Sequence, residues 1–188
     1  MKKILVVVDM QNDFIDGPLG TPEAIAIVDR VCEKIREGGW DKIVLTRDTH
    51  DDDYLETMEG QKLPIEHCIR NSDGWLLNTK VHKAVHGITY KCEGISIFNK
   101  PTFGSLGLVN QIIRKRDSKN IELTLVGVCT DICVISNALL LKAHYPEMKI
   151  VVDASCCAGS TPEKHRMALE VMKSCQIDVL NYIPDCGR

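Results

Sequence analysis

The sequence predicts an α/β fold: a three-layer α/β/α sandwich around a mostly parallel sheet of five to six strands. Three observations lead there. The run 3–8 is continuously apolar rather than alternating, as a strand buried on both faces is, and 42–46, 95–99, 122–126 and 148–152 read as further short strands. Segments of helical period separate them, the alternation of right-handed βαβ units. Finally, Asp9, Asp48, His50, Lys100 and Cys133 all stand at the carboxyl ends of these runs. In parallel sheets that is where ligands bind.

Taken in order, the first strand (3–8) ends abruptly in the polar run Asp9-Met10-Gln11-Asn12-Asp13-Phe14. Gly17, Pro18, Gly20 and Pro22 lead into a helix over about 22–37, striped with Ala24, Ile27, Val28, Val31 and Ile35 and stopped by Gly38-Gly39. The second strand (42–46) ends in Arg47-Asp48-Thr49-His50, and a polar stretch over about 51–73 carries Glu56, Glu59, His67 and Cys68. A helix of mixed quality is expected over about 75–84. The third strand (95–99) ends at Lys100-Pro101, and Gly104-Ser105 opens a helix over about 106–116.

Strand four (122–126) turns tightly into a helix over about 131–143, where Ile132, Ile135, Leu139 and Ala143 recur at helical spacing. Asp131 or Thr130 is expected to cap it. Cys133 then sits in the first turn, where free amides and the dipole stabilise a thiolate. Strand five (148–152) gives way to the segment 153–159. Thr161-Pro162-Glu163 starts a helix to about residue 174, and 178–180 is a last short strand.

With 188 residues, the chain suits one domain, 1–188. A net charge of −3 offers nothing to nucleic acid or to an anionic membrane, and no apolar run is long enough to span a bilayer. The nine cysteines are odd in number and form no zinc-like pair of C-x-x-C motifs, so free thiols in a cytoplasmic protein are expected.

Two constellations follow from the strand ends. A nucleophilic Cys133 needs a base and a positive charge, and Asp9 and Lys100 supply them. Asp48 and His50, two apart at a strand end, point to one side and can share a metal ion. His67 is the third ligand, and a fourth comes from Glu59, the preferred one, or Glu56, with Asp51 to Asp53 as poorer candidates. Such mixed donors suit zinc, iron or manganese.

These residues resemble the isochorismatase-like cysteine hydrolases, and within them the nicotinamidases. The resemblance rests on Asp9–Phe14, on Lys100 ahead of Phe103-Gly104-Ser105, and on Gly127-Val128-Cys129-Thr130-Asp131-Ile132-Cys133-Val134. Asp48-Thr49-His50 with Leu63-Pro64-Ile65-Glu66-His67-Cys68 matches the metal segment. The resemblance implies a catalytic triad of Cys133, Asp9 and Lys100, and a cis peptide between Val128 and Cys129. It also implies an oxyanion hole from the amides of Cys129 and Cys133, and a substrate pocket with Phe14, Val128 and Cys129. One divalent transition metal, zinc foremost, would be held by Asp48, His50, His67 and Glu59.

The implied activity is hydrolysis of nicotinamide through a cysteine thioester. A related amidase for another small amide or carbamoyl compound is the alternative, with a non-catalytic ligand-binding protein behind it. A small-molecule amide substrate and a homo-oligomer are the partners expected. Two positions depart from the family's habit: Cys129 replaces a common alanine, and Pro64 stands where some members stack an aromatic ring on the pyridine.

Overall fold

The computed structural model describes residues 1–88 and 92–182. In chain order its elements are β1 (Lys2–Val8), α1 (Asn12–Ile15), α2 (Pro22–Arg36), β2 (Lys42–Asp48), a 3₁₀ turn (Tyr54–Glu56), α3 (Met58–Lys62) and α4 (Thr79–His86). After these come β3 (Ile95–Lys100), α5 (Leu106–Gln111), a 3₁₀ segment (Lys115–Asn120), β4 (Ile121–Val128), a π-helical turn (Thr130–Val134), α6 (Ile135–His144), β5 (Lys149–Ala158), α7 (Pro162–Ser174) and β6 (Asp178–Leu180).

The six strands form one sheet in the order β3-β2-β1-β4-β5-β6, and every neighbouring pair is parallel. The α/β sandwich expected from the sequence is therefore present, with six strands. Side chains along β1 alternate between two apolar layers. Ile4, Val6 and Val8 pack under α5, α6 and α7, whereas Leu5 and Val7 pack under α2 and α4. Each fully buried aliphatic side chain contributes about 1.5–3 kcal/mol relative to exposure, so this two-sided burial dominates the fold's stability. The order of the strands reverses between β1 and β4, and a crevice opens beyond their carboxyl ends at such a switch point.

Several boundaries differ from the sequence reading. Expected from residue 75, α4 begins only at Thr79, because Trp75 is held in the preceding loop. Its indole N–H donates to Thr49 Oγ1 (2.8 Å), and its ring lies under the Arg47 guanidinium. The helix after Ser105 ends at Gln111 rather than near residue 116. The segment 153–158, read as lying beyond strand five, continues β5 past a register shift opposite Leu125–Gly127. Neither Thr130 nor Asp131 caps a helix. Cys129 occupies the cap position of a π turn without a side-chain cap bond. The eight described cysteines are free thiols, and Cys186 lies outside the described residues. Among the described residues no helix is long and apolar enough to cross a membrane.

Candidate active site

The loop after β1 organises the crevice. Asp9 takes a positive φ of 48° straight after the strand, and its side chain is fully buried. Thr46 Oγ1 donates to Asp9 Oδ1 at 2.7 Å and fixes that rotamer. Two residues on, the Gln11 amide grips both backbone polar groups of Asp48, accepting from its N–H (2.7 Å) and donating to its carbonyl (2.9 Å). Asp13 accepts from the Cys68 N–H at 2.7 Å, beside His67, and the Phe14 ring meets His67 edge-on. One short polar run thus aims a carboxylate and braces the segments that carry Asp48 and His67.

Lys100, the last residue of β3, reaches into the same space. Its Nζ lies 2.7 Å from Asp9 Oδ2, 3.2 Å from Asp48 Oδ1 and 3.4 Å from Cys133 Sγ. The contact with Asp9 Oδ2 is a buried, charge-assisted one. All three side chains are out of water: Asp9 is 0%, Lys100 1% and Cys133 5% exposed.

Burial raises the Asp9 carboxyl above its ordinary range, with Lys100 opposing the effect and Asp48 adding to it. The same burial disfavours the Lys100 ammonium, but Asp9, Cys133 and Asp48 together hold it charged well above the usual lysine value. The Cys133 thiol is pushed well up by burial and then by Asp9, which Lys100 only partly offsets. This corrects the expectation of a depressed thiol pKa. A dry crevice with two carboxylates outweighs the lysine, and Cys133 stands in a π turn rather than the first turn of an α-helix. The resting group is a protonated thiol facing a carboxylate able to accept its proton.

The turn itself is pinned from three sides. The Asp131 carboxylate accepts from both the N–H and the hydroxyl of Ser160 (2.7 Å each), and Thr130 Oγ1 pairs with His165 Nδ1 (2.8 Å). The Asn137 side chain bonds to the carbonyl of Cys133 on the third side. The peptide between Val128 and Cys129 is cis, as the resemblance implied.

The second constellation also assembles. One ligand atom each from Asp48, His50, Glu59 and His67 lies within 4.8 Å of the other three. Asp48 Oδ2 is 3.1 Å from His50 Nε2 and 3.6 Å from His67 Nε2, and Glu59 Oε1 is 4.0 Å from each imidazole. Glu56, the sequence's weaker candidate, is exposed and does not belong to the group. His67 Nδ1 lies 2.8 Å from the Ile65 carbonyl, an arrangement that orients the ring and leaves Nε2 for a metal. The Tyr54 ring backs both imidazoles at 4.7 and 5.0 Å. Two imidazole nitrogens and two carboxylates converging behind a buried wall fit a divalent transition metal.

A cavity of about 310 Å³ joins the two constellations, reaching Cys133 at one side and Asp48, Glu59 and His67 at another. Phe14, Leu19, Leu63, Phe103 and Ile132 give it apolar walls, and Ser160 and Lys164 also line it. Phe14 and Cys129 line it as expected. Val128 does not: its side chain is buried in the apolar layer under α2 and α4. The Cys129 thiol is raised to about 12 by burial and by Asp131. Thr46, Gln11, Asp13, Tyr54 and Asn137 were missed as site residues. For Gln11 and Asp13 the signal was available, because polar residues packed into a turn straight after a buried strand need partners.

A buried thiol facing a carboxylate and an ammonium at a sheet's switch point defines a class, the cysteine hydrolases. The chain belongs to the isochorismatase family, whose domain description matches residues 3–182, and it is a hydrolase of amide carbon–nitrogen bonds. The uncharacterized isochorismatase family protein PncA of Bacillus subtilis (strain 168) is 31% identical over 176 residues, covering 90% of this chain and 93% of that protein. The crystal structure of nicotinamidase PncA from Bacillus subtilis superposes with a TM-score of 0.76 at 28% identity, covering 95% and 99% of the two chains. The pyrazinamidase of Pyrococcus horikoshii in complex with zinc gives 0.72 at 26% identity, covering 97% and 100%.

Proposed function

We propose that this chain hydrolyses nicotinamide to nicotinate and ammonia, with Cys133 as nucleophile, Asp9 as proton shuttle and Lys100 as the stabilising charge. The observation that carries this reading is Cys133 at the wall of a ring-sized cavity, with the Lys100 ammonium 3.4 Å from its Sγ and 2.7 Å from Asp9 behind it.

As Sγ bonds to the amide carbon, its proton passes to Asp9, whose raised pKa suits a base in this dry site. Lys100 offsets the charge on sulfur as it develops. The amides of Cys129 and Cys133 hold the oxygen of the tetrahedral intermediate. Collapse breaks the carbon–nitrogen bond, and Asp9 returns its proton to the departing ammonia. A water then gives a proton to Asp9 and attacks the thioester; the carbon–sulfur bond breaks, and Cys133 regains its proton. Asp48, His50, His67 and Glu59 would hold one transition metal, zinc foremost. When bound, it supplies a Lewis acid that anchors the ring nitrogen. Phe14 and Phe103 wall the ring. Free thiols throughout the described chain suit a cytoplasmic enzyme.

Ammonia release from a panel of nicotinamide, pyrazinamide, benzamide and small carbamoyl compounds tests this reading. Nicotinamide should be turned over best, benzamide poorly because it lacks the ring nitrogen, and Cys133→Ala should do neither. Turnover confined to carbamoyl compounds would contradict it.

A further inference from the structure

The polar side chain that ties the nucleophile to the rest of the crevice is Asn137. It lies on α6, 0% exposed, one turn beyond Cys133. Its Nδ2 donates to the Cys133 carbonyl at 2.8 Å and to the Phe103 carbonyl at 3.2 Å, and its Oδ1 accepts from the Ser105 N–H at 2.9 Å. The amide thus makes three bonds, all to main-chain groups, and these belong to two separate segments. One is the π turn that carries the nucleophile. The other is the loop that follows Lys100, holds the pocket wall Phe103, and ends at Ser105, the cap of α5.

Ordinary packing explains little of this. An apolar side chain would fill the same space beside Ala138 and Leu141 without desolvating an amide. Leucine or alanine there would also suit an α-helix better, since asparagine disfavours helix interiors. A buried amide with all its groups satisfied fixes one relative arrangement of the segments it joins. Here those segments deliver the sulfur on one side and the lysine strand with its pocket wall on the other.

We propose that Asn137 is a positioning residue, setting the register between the Cys133 turn and the Lys100–Ser105 segment so that Sγ, Nζ and the Phe103 wall meet in one geometry. It touches neither substrate nor the reacting atoms, and it acts through the Cys133 carbonyl and the loop. The inference rests on the reading of Cys133 as nucleophile. It assigns a separate consequence to each half of the amide. Losing the bond to Cys133 displaces the nucleophile and lowers kcat. Losing the bonds to Phe103 and Ser105 loosens the wall and raises KM.

Two variants separate these effects. Asn137→Ala removes all three bonds. A misplacement of about 1 Å at a reacting atom costs roughly 10²-fold, so kcat should fall about 10- to 100-fold. Asn137→Thr keeps a hydroxyl, which in a helix donates to the carbonyl four residues back, here that of Cys133. It should return kcat to within about threefold of the parent and leave KM raised. Equal kcat in the two variants would overturn the assignment, as would Asn137→Ala with kcat/KM within twofold of the parent.

A readout independent of turnover is the rate of iodoacetamide labelling, followed by peptide mass spectrometry. In Asn137→Ala the Cys133 rate should change at least threefold while those of buried Cys32 and Cys68 stay fixed. Acceleration of all three together would mark simple destabilisation and contradict the positioning role. Should the parent release no ammonia from nicotinamide, the proposed activity falls. A selective change at Cys133 would then still support the register role.

Discussion

Lys100→Met removes the ammonium and keeps most of the stem. What remains is Asp9 and Asp48, both buried, with the positive charge between them gone. Removing one partner of a buried ion pair costs about 3–5 kcal/mol, because the other charge is left in low dielectric. Lys100 is 1% exposed, so solvent screening reduces this little. For a domain of this size each kcal/mol moves the melting midpoint by roughly 2–4 °C, and the variant should melt about 6–20 °C below the parent at neutral pH.

Acid should narrow the gap. The Asp9 carboxyl is already raised by burial, and without Lys100 it rises further, so a proton taken up on acidification cancels the unpaired charge. Activity should fall at least about 10²-fold, the scale seen when one stabilising contact to a developing charge is lost. Thermal melts by circular dichroism at neutral and mildly acid pH, with kcat/KM beside them, measure both effects. A variant melting within about 2 °C of the parent at neutral pH, with its activity intact, would refute the charge geometry described here.

Asp9 sets the acid limb of the pH profile: burial keeps its carboxyl protonated above the ordinary value of 3.8, so kcat/KM should decline at a pH above that value. In Asp9→Asn, ammonia release should be lost while nicotinamide still protects Cys133 from alkylation; retained turnover would sink the shuttle. His50→Ala should abolish metal retention, as seen by elemental analysis of protein purified without chelator, and should remove any rise in melting temperature on adding zinc. Gly127 has a φ of 118°, and a Cβ there would collide with the Val8 carbonyl and lie 2.9 Å from Val8 N. Strain of about 1–2 kcal/mol for the backbone and about 1–3 for overpacking should make Gly127→Ala about 2–5 kcal/mol less stable. A denaturant midpoint unchanged from the parent would contradict that close approach.

The parallel sheet was legible because the first strand is continuously apolar and short strands alternate with helical segments, and the strand-end chemistry followed from that alternation. Glu59 was preferred over Glu56, and α3 places it so: the Thr57 side chain caps that helix through Gly60 N–H, and Glu59 then points toward the imidazoles. Helical spacing in 131–143 could not reveal the π turn, since Ile132 and Ile135 keep an apolar face either way. Nor could spacing give the thiol's pKa, which depends on water being excluded from around Cys133 and on two carboxylates brought from distant strands. Asn137 was invisible for a related reason. Its partners Phe103 and Ser105 lie more than thirty residues away, and the groups it binds are main chain, which no side-chain pattern betrays.

The central claim is covalent catalysis by Cys133, and acid-quenched intact-mass spectrometry during nicotinamide turnover addresses it most directly. The expected result is a nicotinoyl adduct mapping to the peptide that carries Cys133, cleaved by hydroxylamine as a thioester is, and absent from Cys133→Ala. Steady ammonia release without that adduct, persisting in Cys133→Ala, would contradict the account.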